Sequence, residues 1–260
     1  AEILRSIDKV IEKSDKLIEK HKRIKQGLMQ DLFRYGIDEK GQVRSDKTHK
    51  FQDSQLGRIP KEWDYNSVEK LLNIIDYRGK SPNKVTDGIF LVTSRNIKDG
   101  RINYTLSQEF VRVSEYNKVM SRGKPKIGDL LFTTEAPMGE VANVDNERIA
   151  LAQRVIKFNS KDNGIDNYFL KYLFMSSPFR KQIFSDSTGS TVTGIKGSRL
   201  KKVVLLIPKI GEQQKIKDIL LSQDLTIEKE GVYKKKLLSI KQGLMNDLLS
   251  GKVRVNHLLN

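Results

Sequence analysis

Ile24-Lys25-Gln26-Gly27-Leu28-Met29-Gln30-Asp31-Leu32 returns almost letter for letter as Ile240-Lys241-Gln242-Gly243-Leu244-Met245-Asn246-Asp247-Leu248, an offset of 216 residues (240 minus 24). The match runs backwards at the same offset. Ile3-Leu4-x-Ser6-x-Asp8 aligns with Ile219-Leu220-x-Ser222-x-Asp224, and Ile11-Glu12-Lys13 with Ile227-Glu228-Lys229. Two copies of one helix therefore bracket a middle that has no copy of itself, the plan of a repeated spacer carrying one unique head.

In the first copy Ile3, Val10, Leu17 and Ile24 recur every seven residues, with Ile7, Ser14, His21 and Leu28 offset by four; Leu4, Ile11 and Ile18 widen the stripe. This heptad phase predicts a coiled-coil seam along a helix reaching about Tyr35, roughly 48 Å for 32 residues at 1.5 Å each. His21 reads as a seam residue that selects register. The second helix is predicted from Gly211-Glu212 to Ser250-Gly251, its stripe supplied by Ile219, Tyr233, Leu237, Ile240, Leu244 and Leu248, with Gly251 as a natural stop. Two such helices joined through one compact domain pack most easily antiparallel. Copies paired in that way carry a pseudo-two-fold axis, which would place a second head about 50 Å away. Ala1 aligns with Lys217, inside the second copy. The chain is thus either a piece of a longer protein or a natural half that dimerises.

Lys plus Arg exceed Asp plus Glu by 48 to 32, a net charge of +16, and that field attracts polyanions, nucleic acid foremost. Cysteine is absent, which removes disulfides, thiolate chemistry and Cys-based zinc sites. The three histidines, His21, His49 and His257, lack ligand spacing. No apolar run approaches the roughly 18 residues of a membrane span, and the expected location is cytoplasmic, associated with the nucleoid.

The segments divide as 1–36 first spacer helix, 37–55 linker, 56–208 head, 209–251 second spacer helix and 252–260 tail. Within the head, Gly88–Val92, Asp129–Phe132, Gly139–Ala142, Arg154–Phe158 and Val203–Ile207 read as strands, while Asn167–Phe174 and Pro178–Phe184 read as helices. The fold class is α+β: one globular domain flanked by two long helices that form an antiparallel coiled coil.

Several segments, in order, resemble the specificity subunit of type I restriction-modification enzymes. They are the Ile-Lys-Gln-Gly-Leu-Met helix end, Leu56-Gly57-x-Ile59-Pro60-x-x-Trp63, Tyr77-Arg78-Gly79-Lys80-Ser81-Pro82 and Ile127-Gly128-Asp129-Leu130-Leu131-Phe132. Thr188-Gly189-Ser190-Thr191 leading to Ile195-Lys196, and Ile207-Pro208-x-x-x-Glu212-Gln213-Gln214-x-Ile216, complete the set. The resemblance implies a target recognition domain that reads half of a bipartite site in double-stranded DNA, with the helices measuring the unread spacer. The chain departs from the full pattern in having one head. The resemblance also implies partners: methyltransferase subunits, a motor-nuclease restriction subunit and, if the chain is a natural half, a second copy as a homodimer. S-adenosylmethionine, magnesium and ATP would belong to those partners, with no cofactor in this chain.

DNA recognition needs cations for phosphates and polar groups for base edges. Arg78 and Lys80 flank a glycine in a turn; Arg122 and Lys124 flank another. Ser94, Arg95 and Asn96 follow a strand end, and Arg and Asn suit guanine and adenine edges. Gln153 and Arg154 offer the same chemistry, and Ser190, Thr191, Thr193 and Lys196 lie in a glycine-rich loop able to follow a backbone. Each alone is an ordinary surface residue; only together do they point to nucleic acid.

Catalytic readings fare worse. Gly189 to Lys196 mimics a nucleotide-binding loop, but its lysine is one place late and Gly197 stands where Ser or Thr should meet magnesium. Asp129, Glu135, Glu140 and Asp145 lack the lysine spacing of a metal-dependent nuclease. The chain is expected to be no enzyme. The competing reading is an interaction scaffold whose basic surface is incidental.

Overall fold

A computed structural model describes residues 2–79, 81–185 and 194–250. By internal contacts it divides into a helical unit, Ala1–Leu28 with Asp218–Asn260, and a mixed unit, Met29–Lys217.

The helical unit is built from the long helices Glu2–Leu32 and Ile210–Leu249. Neither contains proline, and i,i+3 and i,i+4 pairs such as Glu19–Lys22 and Glu12–Lys16 support the exposed face of the first. The helices run antiparallel. Ser14 Oγ donates to Glu230 at 3.3 Å, His21 meets Gln223 at 3.3 Å and Lys25 meets Asp224 at 2.5 Å. Subtracting 216 from each partner exposes the symmetry. Ser14 and Glu230 are equivalent positions, so the axis passes between them, and the Lys25–Asp224 pair has its symmetric copy in Lys241–Asp8 at 2.6 Å. The expected pseudo-two-fold is thus present in side-chain detail.

The seam itself differs from the expected one. It follows Leu4, Ile7, Ile11, Ser14, Ile18, His21, Lys25 and Leu28, all partly or wholly buried. Of the residues assigned to it, Ile3, Ile7, Leu28, Ile219, Leu237 and Leu244 are partly buried. Val10, Leu17, Ile24, Tyr233 and Ile240 instead lie exposed at 37–48%. A stripe wider than a two-helix seam was read as the seam: only the row facing the partner helix is covered, and the flanking row one residue earlier stays in solvent.

In the mixed unit a four-stranded antiparallel sheet runs in the order Val141–Asn143, Leu130–Thr133, Val155–Ser160, Leu72–Asp76. A three-stranded sheet sets Ile89–Val92 between Ile149–Leu151, parallel to it, and Phe110–Val111, antiparallel. Helices Asn167–Met175 and Ser177–Phe184 cover the larger sheet through Phe132, Phe158, Phe174 and Phe179, whose rings meet edge-on except for a stacked pair at 4.1 Å, Phe174 and Phe179. Asp166 caps the first of these helices, accepting from the Tyr168 and Phe169 amides. Val204–Ile207 pairs with Asp64–Ser67. Each strand read from sequence recurs within two residues.

The expected boundary between residues 55 and 56 falls inside a β-hairpin, Phe51–Ser54 against Gly57–Pro60. The stretch assigned to a linker belongs with the head: Ile37 is buried and Arg44 nearly so. What holds it is Glu212. Its carboxylate accepts from the Ile37 amide at 2.9 Å, from both Arg44 Nη atoms at 2.5 and 3.0 Å, and from Trp63 Nε1 at 3.2 Å. Gly36, at φ 66°, is where a side chain would strike that carboxylate, Arg44 and Trp63.

Candidate nucleic-acid interface

Register decides where the loops gather. Asp76 stands opposite Ile156, and Val155 opposite Thr133, so the loops after Asp76, after Thr133 and before Val155 share one end of the four-stranded sheet. The parallel strands ending at Val92 and Leu151 feed loops to the same place. Contacts close the group. Ser94 Oγ donates to Ala136 O at 3.1 Å, Ser81 Oγ to Gln153 Oε1 at 3.0 Å, and the Ile195 amide to Thr134 O at 3.1 Å. Segments read separately along the sequence thus form one surface, with Arg78, Arg95, Arg122, Arg154, Lys196 and Lys201 set against Asp76 and Glu135.

These side chains are not equally free. Arg78 is gripped by Asp76, its Nε at 2.8 Å from Oδ2 and its Nη2 at 2.5 Å, and its Nη1 donates to Ile195 O at 3.3 Å. Burial pushes the Asp76 carboxyl up, but hydrogen bonds from the Arg78 side chain and amide outweigh it and hold the group below its ordinary value of 3.8. The same hydrogen bond raises Arg78. Arg122 donates to the carbonyls of Asp76 and, at 2.9 Å, Arg78, while the Tyr77 hydroxyl donates to Gly123 O. Burial, with the Asp129 charge beside it, keeps the Tyr77 proton far above the usual tyrosine range. Arg78 and Arg122 therefore hold this turn together, which qualifies their expected role as phosphate contacts.

Two further assignments are corrected. Asn96 is fully buried: its Oδ1 accepts from the Thr93 amide and hydroxyl at 2.9 and 2.8 Å, and its Nδ2 donates to Asn103 O at 3.0 Å and to Leu106 O. With donors and acceptor all used, it cannot read a base. Ser94 is 4% exposed and spends its hydroxyl on Ala136. The short helical turn Ser94–Asn96 points its first and third residues inward, which leaves Arg95 alone outward, exposed and without a partner among the described residues.

Lys196 is likewise exposed and has no side-chain partner among the described residues. Lys124 lies 5.4 Å from the Tyr116 ring. Arg154 is half exposed and 3.1 Å from Glu135 Oε1. Lys80, Ser190, Thr191 and Thr193 lie outside the described residues. Beside the surface a cleft of about 450 Å³ is lined by Ile74, Asp76, Arg78, Ile156, Ser198 and Lys201. Glu135, weighed in the sequence only as one of four carboxylates, and Lys201, on the helix Gly197–Lys202, reach this surface through the fold rather than through a local motif. Among the described residues no group of His, Asp or Glu could hold a metal ion, and no helix is long and apolar enough to cross a membrane.

Residues 60–238 match the family described as type I restriction modification DNA specificity domain. The chain is 30% identical over 270 aligned positions to the type I restriction enzyme MjaVIII specificity subunit of Methanocaldococcus jannaschii, covering 99% of this chain and 60% of that protein. It thus spans less than two thirds of that relative. Among solved structures, the HsdS subunit from Thermoanaerobacter tengcongensis superposes with a TM-score of 0.55 at 13% identity, over 96% of this chain and 56% of that one. The type I restriction-modification S subunit from M. genitalium gives 0.56 at 13% identity, over 95% and 59%. At that identity the likeness is one of fold. The family match covers most of the residues that build the sheets, the gathered loops and the start of the second long helix, and the chain belongs to the type I restriction modification DNA specificity domain family.

Proposed function

We propose that the chain is a sequence-reading subunit that grips one half-site of double-stranded DNA with the loop surface around Glu135, while its helix pair serves as spacer and dock. The observation that carries the reading is the convergence of five loops at one sheet end, where Arg95 and Lys196 are exposed and unpaired among the described residues. Phosphate neutralisation by such cations makes binding fall steeply with salt. In this reading the chain performs no chemistry. Methyltransferase subunits would supply S-adenosylmethionine, and a restriction subunit would bring magnesium and ATP. The exposed row Val10, Leu17, Ile24 and its repeat counterparts Tyr233 and Ile240 give a partner apolar footing on both helices. The complex would work on the cytoplasmic nucleoid, or as a homodimer of this chain on a split palindromic site.

Titration of the purified chain with duplex DNA at about 50 and 200 mM salt tests it. The expected result is binding that weakens by orders of magnitude across that range and is reduced by Arg95→Ala and Lys196→Ala. Binding that is absent at low salt, or that ignores both substitutions, contradicts it and favours the scaffold.

A further inference from the structure

Glu135 is out of place on a surface meant for phosphates. A carboxylate there repels the backbone of any duplex that docks, and Asp76, another acid at this end, is occupied by Arg78. Glu135 is not. Its Oε1 lies 3.1 Å from Arg154 Nε, both side chains are nearly half exposed, and its charge also acts on Arg78 without a hydrogen bond between the two. A pair so open to water contributes little to stability, which leaves the carboxylate available to another donor.

Its backbone, by contrast, is fixed on both sides. The Thr134 amide donates to Arg154 O at 3.0 Å, Thr134 O accepts from Ile195, and Ala136 O accepts from Ser94. Gly194, at φ 139°, packs so closely that a Cβ would come within 2.9 Å of Thr134 O and 3.1 Å of the Glu135 Cβ. A rigid loop therefore presents one carboxylate oxygen among cations. The groups on duplex DNA that welcome it are the exocyclic amines of cytosine N4 and adenine N6 in the major groove.

We infer that Glu135 is a specificity-determining residue that accepts a hydrogen bond from a cytosine or adenine amine in the half-site, with Arg154 as the positioning residue that aims it. The inference rests on the DNA-reading function proposed above.

The test is selection of bound duplexes from a randomised pool by the full chain, read by sequencing. The wild type enriches a half-site. Glu135→Ala loses preference at one base-pair position by roughly 5- to 140-fold, keeps it at the others, and binds unselected DNA somewhat more tightly because a repelling charge is gone. Arg154→Ala blurs that same position and no other, which a merely structural role would not do. Should Glu135→Ala fail to fold, the isosteric Glu135→Gln carries the test, since its added donor shifts preference at that position alone. An Ala or Gln profile identical to wild type, with affinity raised equally for all sequences, overturns the inference and leaves the DNA reading intact. A wild type that enriches nothing overturns both.

Discussion

The two ends of the four-stranded sheet treat charge in opposite ways. At the end where Leu72, Leu130 and Ser160 lie, charged groups are buried and answered, although Asn143 Oδ1, opposite Leu130, is buried with no hydrogen-bond partner among the described residues. Asp129 accepts from Lys157 Nζ at 2.5 Å, from Asn159 at 3.1 Å and from the Lys126 amide at 2.9 Å, with Lys157 and Asp129 each 4% exposed. Nearby, Gln213 is fully buried, accepting from the Asp166 amide and donating to Gly164 O and Pro208 O. At the other end Arg95 and Lys196 stand alone and Glu135 is half used. The closed end spends its polar groups on holding the fold; the open end leaves them for something else.

Substitutions should separate the ends cleanly. The largest effect is expected at Glu212, beside Gln213, where Glu212→Ala strands Arg44 and the Trp63 and Ile37 N–H groups. That should cost about 3–5 kcal/mol, as removal of one partner from a buried ion pair does, measured as a lowered urea midpoint. Asp129→Ala should come next in unfolding experiments, at about 3 kcal/mol or more. Replacing the pair together, Asp129→Leu with Lys157→Met, should cost less than the single change because no charge is left buried. If the double variant is the less stable, the closed end is not held by that pair in the way described.

At the open end the signs reverse. Arg95→Ala and Lys196→Ala should leave the urea midpoint within about 0.5 kcal/mol of wild type. Each should make the logarithmic salt dependence of DNA binding shallower by about 0.9 if it neutralises one phosphate. The smallest effect concerns Asp76. Its folded-state value lies below 3.8, so its contribution to stability is present above that value and is lost as pH falls through the lower folded one. A stability difference between wild type and Asp76→Asn should therefore be constant near neutrality and shrink below about pH 4, followed by thermal unfolding across that range.

The closed end was the more legible one in the sequence. Leu56 to Trp63, Ile127 to Phe132 and Pro208 to Ile216 stood out as motifs. The structure shows why such residue types sit there: Trp63, Asp129, Glu212 and Gln213 each need a particular partner inside the protein. The repeat likewise fixed the antiparallel helix pair, because a duplicated helix with polar positions Ser14 and Asp8 has a defined mate in its own copy. Which flank of the apolar stripe is covered was not legible, since two heptad rows one residue apart carry similar side chains. Nor was the open end legible residue by residue. Asn96 had the chemistry of a base reader and is consumed by its own loop, whereas Glu135 stood out only as one of four carboxylates and is placed half exposed beside Arg154 by the fold.

Amide hydrogen exchange of the full chain with and without duplex DNA tests the central claim most directly, because it reports on both ends of the sheet at once. The account predicts added protection in segments 76–82, 93–96, 133–139, 152–154 and 194–202, with the turns at 126–129 and 161–165 unchanged. Protection confined to those turns, or none at the open end while DNA is bound, would contradict it.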